Sequence, residues 1–169
     1  PDYLRDEGND VFLRVAINDA RRAHEVLRAT PNVDLRRVGI IGISLGGIIT
    51  LVTAAIETEI AAATVSGMFI PFDRLFVDPH PHCQRLTELA TFATSVDLGK
   101  AILPRPFDIH FGAQDQLFLE KDRGKVNAQE LVSAVPEGAP LSVTISPGRA
   151  HRFEPAHHIN FFRSAMPAR

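Results

Sequence analysis

The sequence predicts an α/β fold, in which a mostly parallel β-sheet carries helices on both faces. Strand-like runs alternate along the chain with segments of helical periodicity, which is the pattern of such a sheet. One run, Val38–Ile43, is rich in β-branched residues and glycine, as expected for a fully buried strand. That run continues through a serine flanked by glycines into an apolar segment typical of a helix. With 169 residues, the chain is expected to form a single domain over residues 1–169.

The composition is ordinary for a globular protein, with 45% hydrophobic and 22% charged residues. A net charge of −2 gives no reason to expect nucleic acid or an anionic membrane as a partner. The single cysteine, Cys83, excludes an intrachain disulfide. No run approaches the ~20 apolar residues of a membrane span, and no signal peptide is visible. The cytoplasm is therefore the favoured location, although the chain starts at Pro1 and can be a fragment.

The first predicted element is an amphipathic helix from residue 9 or 10 to about residue 30. Apolar residues recur there at helical spacing, and a polar side chain can cap its start. His24 lies among the charged residues of this helix and is expected at the surface. Turn-forming residues end the helix at 30–34. The Val38–Ile43 strand follows and leads into a second helix, which ends near Glu57.

The rest of the chain continues the alternation of strand and helix. Apolar runs and period-two patterns predict three strands, and helical periodicity predicts three helices. Proline and glycine clusters separate these elements. The predicted strands are Ile60–Val65, Phe107–Gly112 and Leu141–Ser146, the predicted helices span about 84–95, 121–135 and 154–166, and loops are predicted at 113–118 and 147–153.

Residues 68–100 form a less regular segment, whose aromatic side chains have two interpretations. Phe69, Phe72 and Phe76 can pack in the core, which is the simpler interpretation, or they can line a substrate pocket. The run His80-Pro81-His82-Cys83 contains side chains of the kinds that bind zinc. The prolines in that run and the lack of a second ligand cluster argue against a metal. No metal and no organic cofactor are expected.

The corner between the first strand and the second helix reads Gly42-Ile43-Ser44-Leu45-Gly46-Gly47. A serine between two glycines at a strand-to-helix corner is the pattern of a nucleophile elbow. The sharp turn is expected to leave no room for side chains at Gly42 and Gly46. It is also expected to hold Ser44 in a strained conformation, which exposes the hydroxyl at the helix N-terminus. Gly47 is expected to allow the helix to pack closely on a strand.

Three residues of complementary chemistry follow predicted strands. In a parallel α/β sheet, functional groups collect beyond the carboxyl ends of the strands. Ser44, Asp115 and His151 each fall in such a segment. A serine hydroxyl becomes a strong nucleophile when an imidazole accepts its proton, and a carboxylate fixes the imidazole tautomer and stabilises its cation. The three residues therefore form a candidate catalytic set.

These segments resemble the α/β-hydrolase superfamily, in which the order is also serine, acid, histidine. The resemblance is carried by the serine corner, by His110-Phe111-Gly112-Ala113-Gln114-Asp115 and by Gly148-Arg149-Ala150-His151-Arg152-Phe153. The first helix and the turn Pro31-Asn32-Val33-Asp34 are similar to the branch of dienelactone hydrolases, acetyl esterases and prolyl oligopeptidases. The resemblance extends over essentially the whole chain but only over the C-terminal half of the family's fold.

The resemblance implies a serine hydrolase that cleaves a carboxylic ester through an acyl-enzyme intermediate. It implies Ser44 as nucleophile, His151 as base and Asp115 as orienting acid. It also implies the Leu45 amide as a donor of the oxyanion hole. Two alternatives stay open: a serine peptidase of the prolyl-oligopeptidase type, and a hydrolase-like binding module without catalytic activity.

The chain departs from the family's pattern before the first predicted strand. Family members have several strands there, whereas residues 1–37 supply one helix and no glycine-rich loop for a second oxyanion donor. The Val38–Ile43 strand would therefore lack a neighbour on one side. We expect an N-terminal half or a partner chain to complete the sheet, or a homodimer that pairs the two edges. The expected ligand is a small-molecule ester, and neither nucleic acid nor a membrane is expected as a partner.

Four further polar residues have structural interpretations. Asp108 lies at the wrong end of its strand for catalysis, and His110 lies within that strand and is expected to be packed. His157 and His158 lie in the final helix, either at its surface or packed against the sheet.

Overall fold

The structure is a computed structural model that describes residues 8–76 and 88–167. Within these residues, four parallel strands form one sheet in the order β1-β2-β3-β4. No helix in this part of the chain is both long and apolar enough to cross a membrane. The strands are β1 (Gly39–Ile43), β2 (Ala62–Ser66), β3 (Phe107–Gly112) and β4 (Leu141–Ser146). The α-helices are α1 (Gly8–Ala29), α2 (Leu45–Ile56), α3 (Ser95–Ile102), α4 (Gly124–Ala134) and α5 (Pro155–Ala165).

The two faces of the sheet differ in character. Strand residues alternate between the faces, and the face that carries Val65, Ile109 and Phe111 packs against α2, α3 and α4 in a continuous apolar core. These helices share a face because each right-handed crossover steps to the next strand in the same direction. The opposite face carries polar side chains, among them Thr64 and Asp108, and α5 covers it. The predicted parallel sheet with helices on both faces is therefore confirmed.

The strand register brings the carboxyl ends of all four strands to one edge of the sheet. Ile43 of β1 lies opposite Ser66 of β2. Ser66 in turn lies opposite His110, and Gly112 at the end of β3 lies opposite Ser146. The segments that follow the strands therefore emerge side by side.

β1 is an edge strand among the described residues. It pairs with β2 on one side, and no strand in this part of the chain pairs with its other side. Its three isoleucines, at positions 40, 41 and 43, are only partly buried. An apolar edge with unpaired backbone groups favours association with another strand.

The prediction of a helix over residues 84–95 is wrong for residues 88–95, which are the part of that range that the structure describes. A 3-10 helix spans only Leu89–Thr91, and α3 begins at Ser95, where the predicted helix was to end. Thr94 sets this start, because its hydroxyl accepts a hydrogen bond from the Asp97 amide. The Asp97 carboxylate accepts one in return from the Thr94 amide, which completes a capping box.

The loop predicted over residues 113–118 is also partly helical. A π-helix spans Gln116–Lys121. Asp115 caps it, since its carboxylate accepts a hydrogen bond from the Phe118 amide at 3.0 Å. The segment after β3 is therefore more ordered than a loop, and Asp115 is part of that order.

His24 is buried, with 4% of its surface exposed, so the predicted surface position is wrong. Its Nδ1 lies 3.8 Å from a carboxylate oxygen of Glu57, the residue that follows α2. Arg21, one turn earlier in α1, donates a hydrogen bond to the same carboxylate. The contact between α1 and α2 is therefore partly polar, and charge in the sequence does not mark the exposed face of α1.

The aromatic residues after β2 lie in different environments, and the predicted substrate pocket stays a prediction. Phe69 is fully buried in the core. Phe72 and Phe76 line a surface cavity of about 370 Å³, together with the charged side chains of Asp73 and Arg123. The run of residues 80–83 that contains two histidines and the cysteine lies outside the described residues.

Candidate active site

Ser44 occupies the corner between β1 and α2. It is the N-cap residue of α2, with φ 56° and ψ −124°. A positive φ is uncommon for a residue with a β-carbon, and this ψ lies outside the left-handed helical region, so the backbone is strained as predicted. Hydrogen bonds fix it on both sides, since its amide donates to the Ser66 carbonyl at 3.0 Å and its carbonyl accepts from the Gly47 amide at 2.8 Å. The corner presents the serine at the N-terminus of a helix.

The glycines of this corner have different roles. A β-carbon at Gly42 would lie 2.0 Å from the Gly46 carbonyl oxygen, so the turn requires glycine there. A β-carbon at Gly47 would lie 2.9 Å from Cβ of Met68, in agreement with the predicted close packing of α2. At Gly46, a β-carbon would meet no described atom within 4 Å, so the prediction of crowding there is wrong. Gly46 contributes its carbonyl to the tight turn, while its α-carbon faces open space.

Asp115 and His151 form a hydrogen-bonded pair. The Asp115 side chain is buried, with 2% of its surface exposed, and its Oδ2 lies 2.8 Å from His151 Nδ1. An ionised carboxylate can only accept hydrogen bonds, so Nδ1 carries a proton. In the neutral ring, Nε2 is then the unprotonated nitrogen. This is the tautomer that a general base requires if Nε2 is to accept a proton.

The loop that carries His151 is held by close contacts at the strand ends. A β-carbon at Gly112, the last residue of β3, would lie 2.2 Å from the Ala150 carbonyl oxygen. The Gln114 amide donates a hydrogen bond into the same loop. The imidazole of His151 lies over Gly67, where a β-carbon would lie 2.7 Å from the ring. Segments that follow β2, β3 and β4 therefore fix one imidazole.

Ser44 lies at the same edge as this pair but is not hydrogen-bonded to it. His151 Nε2 is shielded from solvent and has no hydrogen-bond partner among the described residues. The backbone of Ser44 is joined to Ser66, and the next residue, Gly67, packs against the imidazole. Catalytic hydrogen bonds commonly tighten only when substrate is bound. The structure thus joins Asp115 to His151 and places Ser44 at the same sheet edge, with the end of β2 between them.

Leu45 is the first residue of α2. The first amides of a helix have no acceptor within the helix, and the helix dipole favours negative charge beside them. The Leu45 amide is therefore in a position suited to an oxyanion next to Ser44.

A second polar cluster lies between the sheet and α5, and the sequence interpretation did not group its members. Asp108 of β3 and His158 of α5 are each 1% exposed. Asp108 Oδ2 lies 2.8 Å from His157 Nε2 and accepts a hydrogen bond from the Thr64 hydroxyl at 2.8 Å. Ring contacts with centroids 4.6 and 5.0 Å apart join His110 to His157 and His158. Polar residues at alternate positions of β2 and β3 are the sequence signal that marks this face.

The buried histidines of this cluster are neutral near pH 7. Burial, followed by the neighbouring rings of His110 and His157, lowers the pKa of His158 to about 4. Burial likewise lowers the pKa of His110, whose ring nitrogens lie within hydrogen-bonding distance of the Ser66 and Ser146 hydroxyls. His110 is thus packed within the structure, as predicted.

The family model of acetyl xylan esterase (AXE1) matches residues 4–94, which are 91 of the 169 residues. The chain belongs to this family. The match includes the corner at Ser44 and ends before Asp115 and His151. The predicted membership of the α/β-hydrolase superfamily is confirmed, within its acetyl xylan esterase branch. No curated protein sequence matches the chain.

Several solved structures share the fold of this chain. A glucuronoyl esterase from Teredinibacter turnerae is similar with a TM-score of 0.71 and 17% identity, covering 90% of this chain and 46% of its own. An acetyl xylan esterase from Paenibacillus sp. R4 gives 0.65 and 17%, covering 88% and 51%. The α/β-hydrolase GrgF from Penicillium sp. sh18 gives 0.66 and 15%, covering 92% and 73%. The chain spans about half the length of the two esterases.

Proposed function

We propose that the protein is a serine hydrolase that cleaves a carboxylic ester through an acyl-enzyme intermediate. The observation that carries the proposal is the Asp115–His151 pair, which lies at the sheet edge where the strained Ser44 corner also ends. A buried carboxylate bonded to an imidazole near such a serine is suited to nucleophilic catalysis. Membership of an esterase family supports ester chemistry.

In the proposed mechanism Ser44 is the nucleophile and His151 the base. Because Asp115 holds the proton on Nδ1, the lone pair of Nε2 accepts the hydroxyl proton as Ser44 Oγ attacks the ester carbonyl. The imidazolium then donates that proton to the leaving alcohol, and the acyl group stays on the serine. Water attacks the acyl carbonyl with His151 again as base, which releases the acid and restores Ser44.

The Leu45 amide is the proposed oxyanion donor within this chain. Removal of one such donor typically costs about 10²–10³ in rate, so a second donor matters. We propose that it comes from a segment that also supplies a strand beside β1, whose outer side is unpaired among the described residues. Another part of the protein or a partner chain can provide both.

Acetyl esters of polysaccharides are the first substrate class to test, because the matching family is that of acetyl xylan esterase. Hydrolysis of short acyl esters without cleavage of matched peptide amides is the expected result. Preferential cleavage of peptide amides would instead favour a serine peptidase.

A fluorophosphonate probe tests the nucleophile, because it forms a stable bond with an activated serine. We expect labelling of the wild-type protein, no labelling of Ser44→Ala, and strongly reduced labelling of His151→Ala. Ser133→Ala, at an exposed serine of α4, is the matched control and should label like the wild type. Labelling that persists in Ser44→Ala would overturn the assignment, and a folded wild-type protein that is never labelled would favour a binding module.

A further inference from the structure

We propose that Asp108, His157 and His158 bind a divalent transition-metal ion, for which Zn²⁺ is the best match, between β3 and α5. One carboxylate oxygen and one nitrogen from each ring lie within 4.8 Å of one another. Two imidazoles and a carboxylate are a ligand set that zinc binds. The cluster is separate from the proposed catalytic residues and differs from the sequence-based expectation that no metal is bound.

Hydrogen bonds hold the Asp108 carboxylate in a fixed orientation, as is common for carboxylates that bind metals. The Ser142 hydroxyl donates to its Oδ1 at 2.6 Å. The Thr64 hydroxyl and His157 Nε2 both converge on the other oxygen, Oδ2, at 2.8 Å. Ser142 is not a proposed ligand, and its hydrogen bond orients the carboxylate as outer residues orient metal-binding carboxylates. The His157 Nε2 proton that now bonds Oδ2 would be released when an ion binds there.

The buried charge of Asp108 is incompletely compensated by the protein. The side chain is 1% exposed, and no lysine or arginine in residues 8–76 and 88–167 forms an ion pair with it. Its one ion-pair partner there is His157, whose side chain is charged only when it is protonated. A buried carboxylate is costly without an opposite charge. A divalent cation would supply that charge.

His158 has a ring nitrogen to which no described residue is hydrogen-bonded. The single proton of the Thr64 hydroxyl is donated to Asp108, so Thr64 can only accept from His158 Nδ1, 3.1 Å away. The proton of the neutral ring is therefore on Nδ1, and Nε2 has a lone pair. Nε2 is buried and has no hydrogen-bond partner among the described residues. Neutral imidazole is the form that binds metals.

A small shift of the side chains would bring the three ligand atoms to the distances that a bound ion requires. A tetrahedral ion about 2.0–2.2 Å from each ligand atom holds those atoms about 3.4 Å apart, compared with the 4.8 Å limit found here. The His157 side chain is 22% exposed, which gives it room to move and gives an ion a route inward. The fourth position would be taken by water or by the Thr64 hydroxyl. A bound ion would link α5 to the sheet. This helix begins four residues after His151.

Co²⁺ is the spectroscopic probe for this site, because four-coordinate Co²⁺ has intense visible absorption bands. Chelator-treated protein should bind one Co²⁺ per chain, and Zn²⁺ should displace it. Zn²⁺ alone should also raise the melting temperature. The substitutions His157→Gln and Asp108→Asn should each weaken Co²⁺ affinity by more than about 100-fold.

His157→Gln is the decisive variant, because glutamine can still donate a hydrogen bond to Asp108 and the fold can be checked by circular dichroism. His151→Ala is the matched control, since it removes the imidazole of the other aspartate–histidine pair and should leave Co²⁺ binding unchanged. Three results would overturn the site: no Co²⁺ binding by wild-type protein, full binding by folded His157→Gln, or loss of binding in His151→Ala. None of these readouts depends on esterase activity.

Discussion

At the scale of single residues, the described part of the chain contains two aspartate–histidine pairs that differ in which nitrogen is bonded. In both pairs a carboxylate oxygen lies 2.8 Å from the ring. Asp115 bonds Nδ1 of His151, so Nε2 of that ring carries the lone pair that the proposed mechanism uses as a base. Asp108 bonds Nε2 of His157 beneath α5, where the neighbours are further histidines. The same two side chains are therefore suited to proton transfer in one place and to ion binding in the other.

Asp115→Asn tests the proposed orienting role of the carboxylate. An amide NH₂ group facing Nδ1 would favour the tautomer with its proton on Nε2, which cannot accept the Ser44 proton. We expect kcat to fall by about 10⁴-fold while the protein stays folded, as measured by ester hydrolysis and thermal melting. Asp34→Asn, at an exposed aspartate, is the control and should retain full activity. An Asp115→Asn enzyme with wild-type kcat would remove Asp115 from the mechanism.

The corner glycines should respond differently to alanine. At Gly42 the added β-carbon would lie 2.0 Å from the Gly46 carbonyl oxygen and 2.7 Å from Thr50 Oγ1, so Gly42→Ala should destabilise strongly. At Gly46 the space is open and the residue is helical, so Gly46→Ala should be neutral or stabilise by about 0.4–1 kcal/mol. Urea denaturation of both variants measures the difference. Equal losses of unfolding free energy in the two variants would contradict the difference in space between Gly42 and Gly46.

At the scale of elements, Arg105 ties together the C-terminal ends of two helices. Its guanidinium donates hydrogen bonds to the carbonyls of Ala54 in α2 and Ala101 in α3, and to those of Glu57 and Ile60 in the turn after α2. The last carbonyls of a helix lack partners within the helix, and the negative end of the helix dipole favours a cation. One planar side chain thus satisfies acceptors from neighbouring crossover helices.

Arg105→Ala should destabilise the protein by about 2–3 kcal/mol, since partly buried carbonyls lose a charged donor. Arg105→Lys should recover only part of that loss, because an ammonium lacks the planar fork that reaches several carbonyls. Denaturation midpoints of the two variants test this. The control is Arg36→Ala, whose exposed pair with Asp34 should matter little. Full recovery by lysine would mean that charge alone is sufficient.

The contact between α1 and α2 predicts a dependence of stability on pH. The hydrogen bond from Arg21 lowers the pKa of Glu57 below its ordinary value of 4.5. The stabilisation is therefore present above pH 4.5 and is lost as pH falls through the lowered pKa. Glu57→Gln should cost about 0.5–1 kcal/mol at pH 7 and nothing at a pH low enough to protonate Glu57. Glu59→Gln, in an exposed pair with Arg28, is the control and should show a smaller effect at pH 7.

At the scale of the whole molecule, one side of β1 is unpaired among residues 8–76 and 88–167, which predicts association. The Ser44 amide and the Val38 carbonyl point to β2, so the alternate residues 39, 41 and 43 direct their backbone groups to the open side. Three partly buried isoleucines accompany that edge. Such an edge is a template for another strand.

We therefore expect a protein of residues 1–169 to self-associate at micromolar concentration and to hydrolyse esters poorly. Ile41→Pro removes an outward amide and should reduce association, measured by sedimentation, without breaking the β1–β2 ladder. Ile40→Pro is the control, because it removes an inward amide and should disrupt the fold. A monomeric, fully active wild-type chain would show that the open edge and the single oxyanion donor have no consequence.

The sequence by itself determined the order of elements and the edge at which the candidate site lies. Local periodicity is enough to place Val38–Ile43 in a strand and the following residues in a helix. A parallel sheet then brings the segments that hold Ser44, Asp115 and His151 to one edge, whatever the details of packing. The strain at Ser44 could also be predicted, because it arises within a few residues of the chain.

Only the tertiary structure decided which side chains are buried together. Thr64, Asp108 and His158 are far apart in sequence, and their cluster depends on the strand register and on the docking of α5. His24 is surrounded by charged residues in the sequence and yet is buried, because α1 packs that position against α2. The open space at Gly46 likewise depends on what lies across from the corner. The alternating polar residues of β2 and β3 mark the polar face, but the sequence has no local signal for which side chains meet there, since each gains its environment from distant segments.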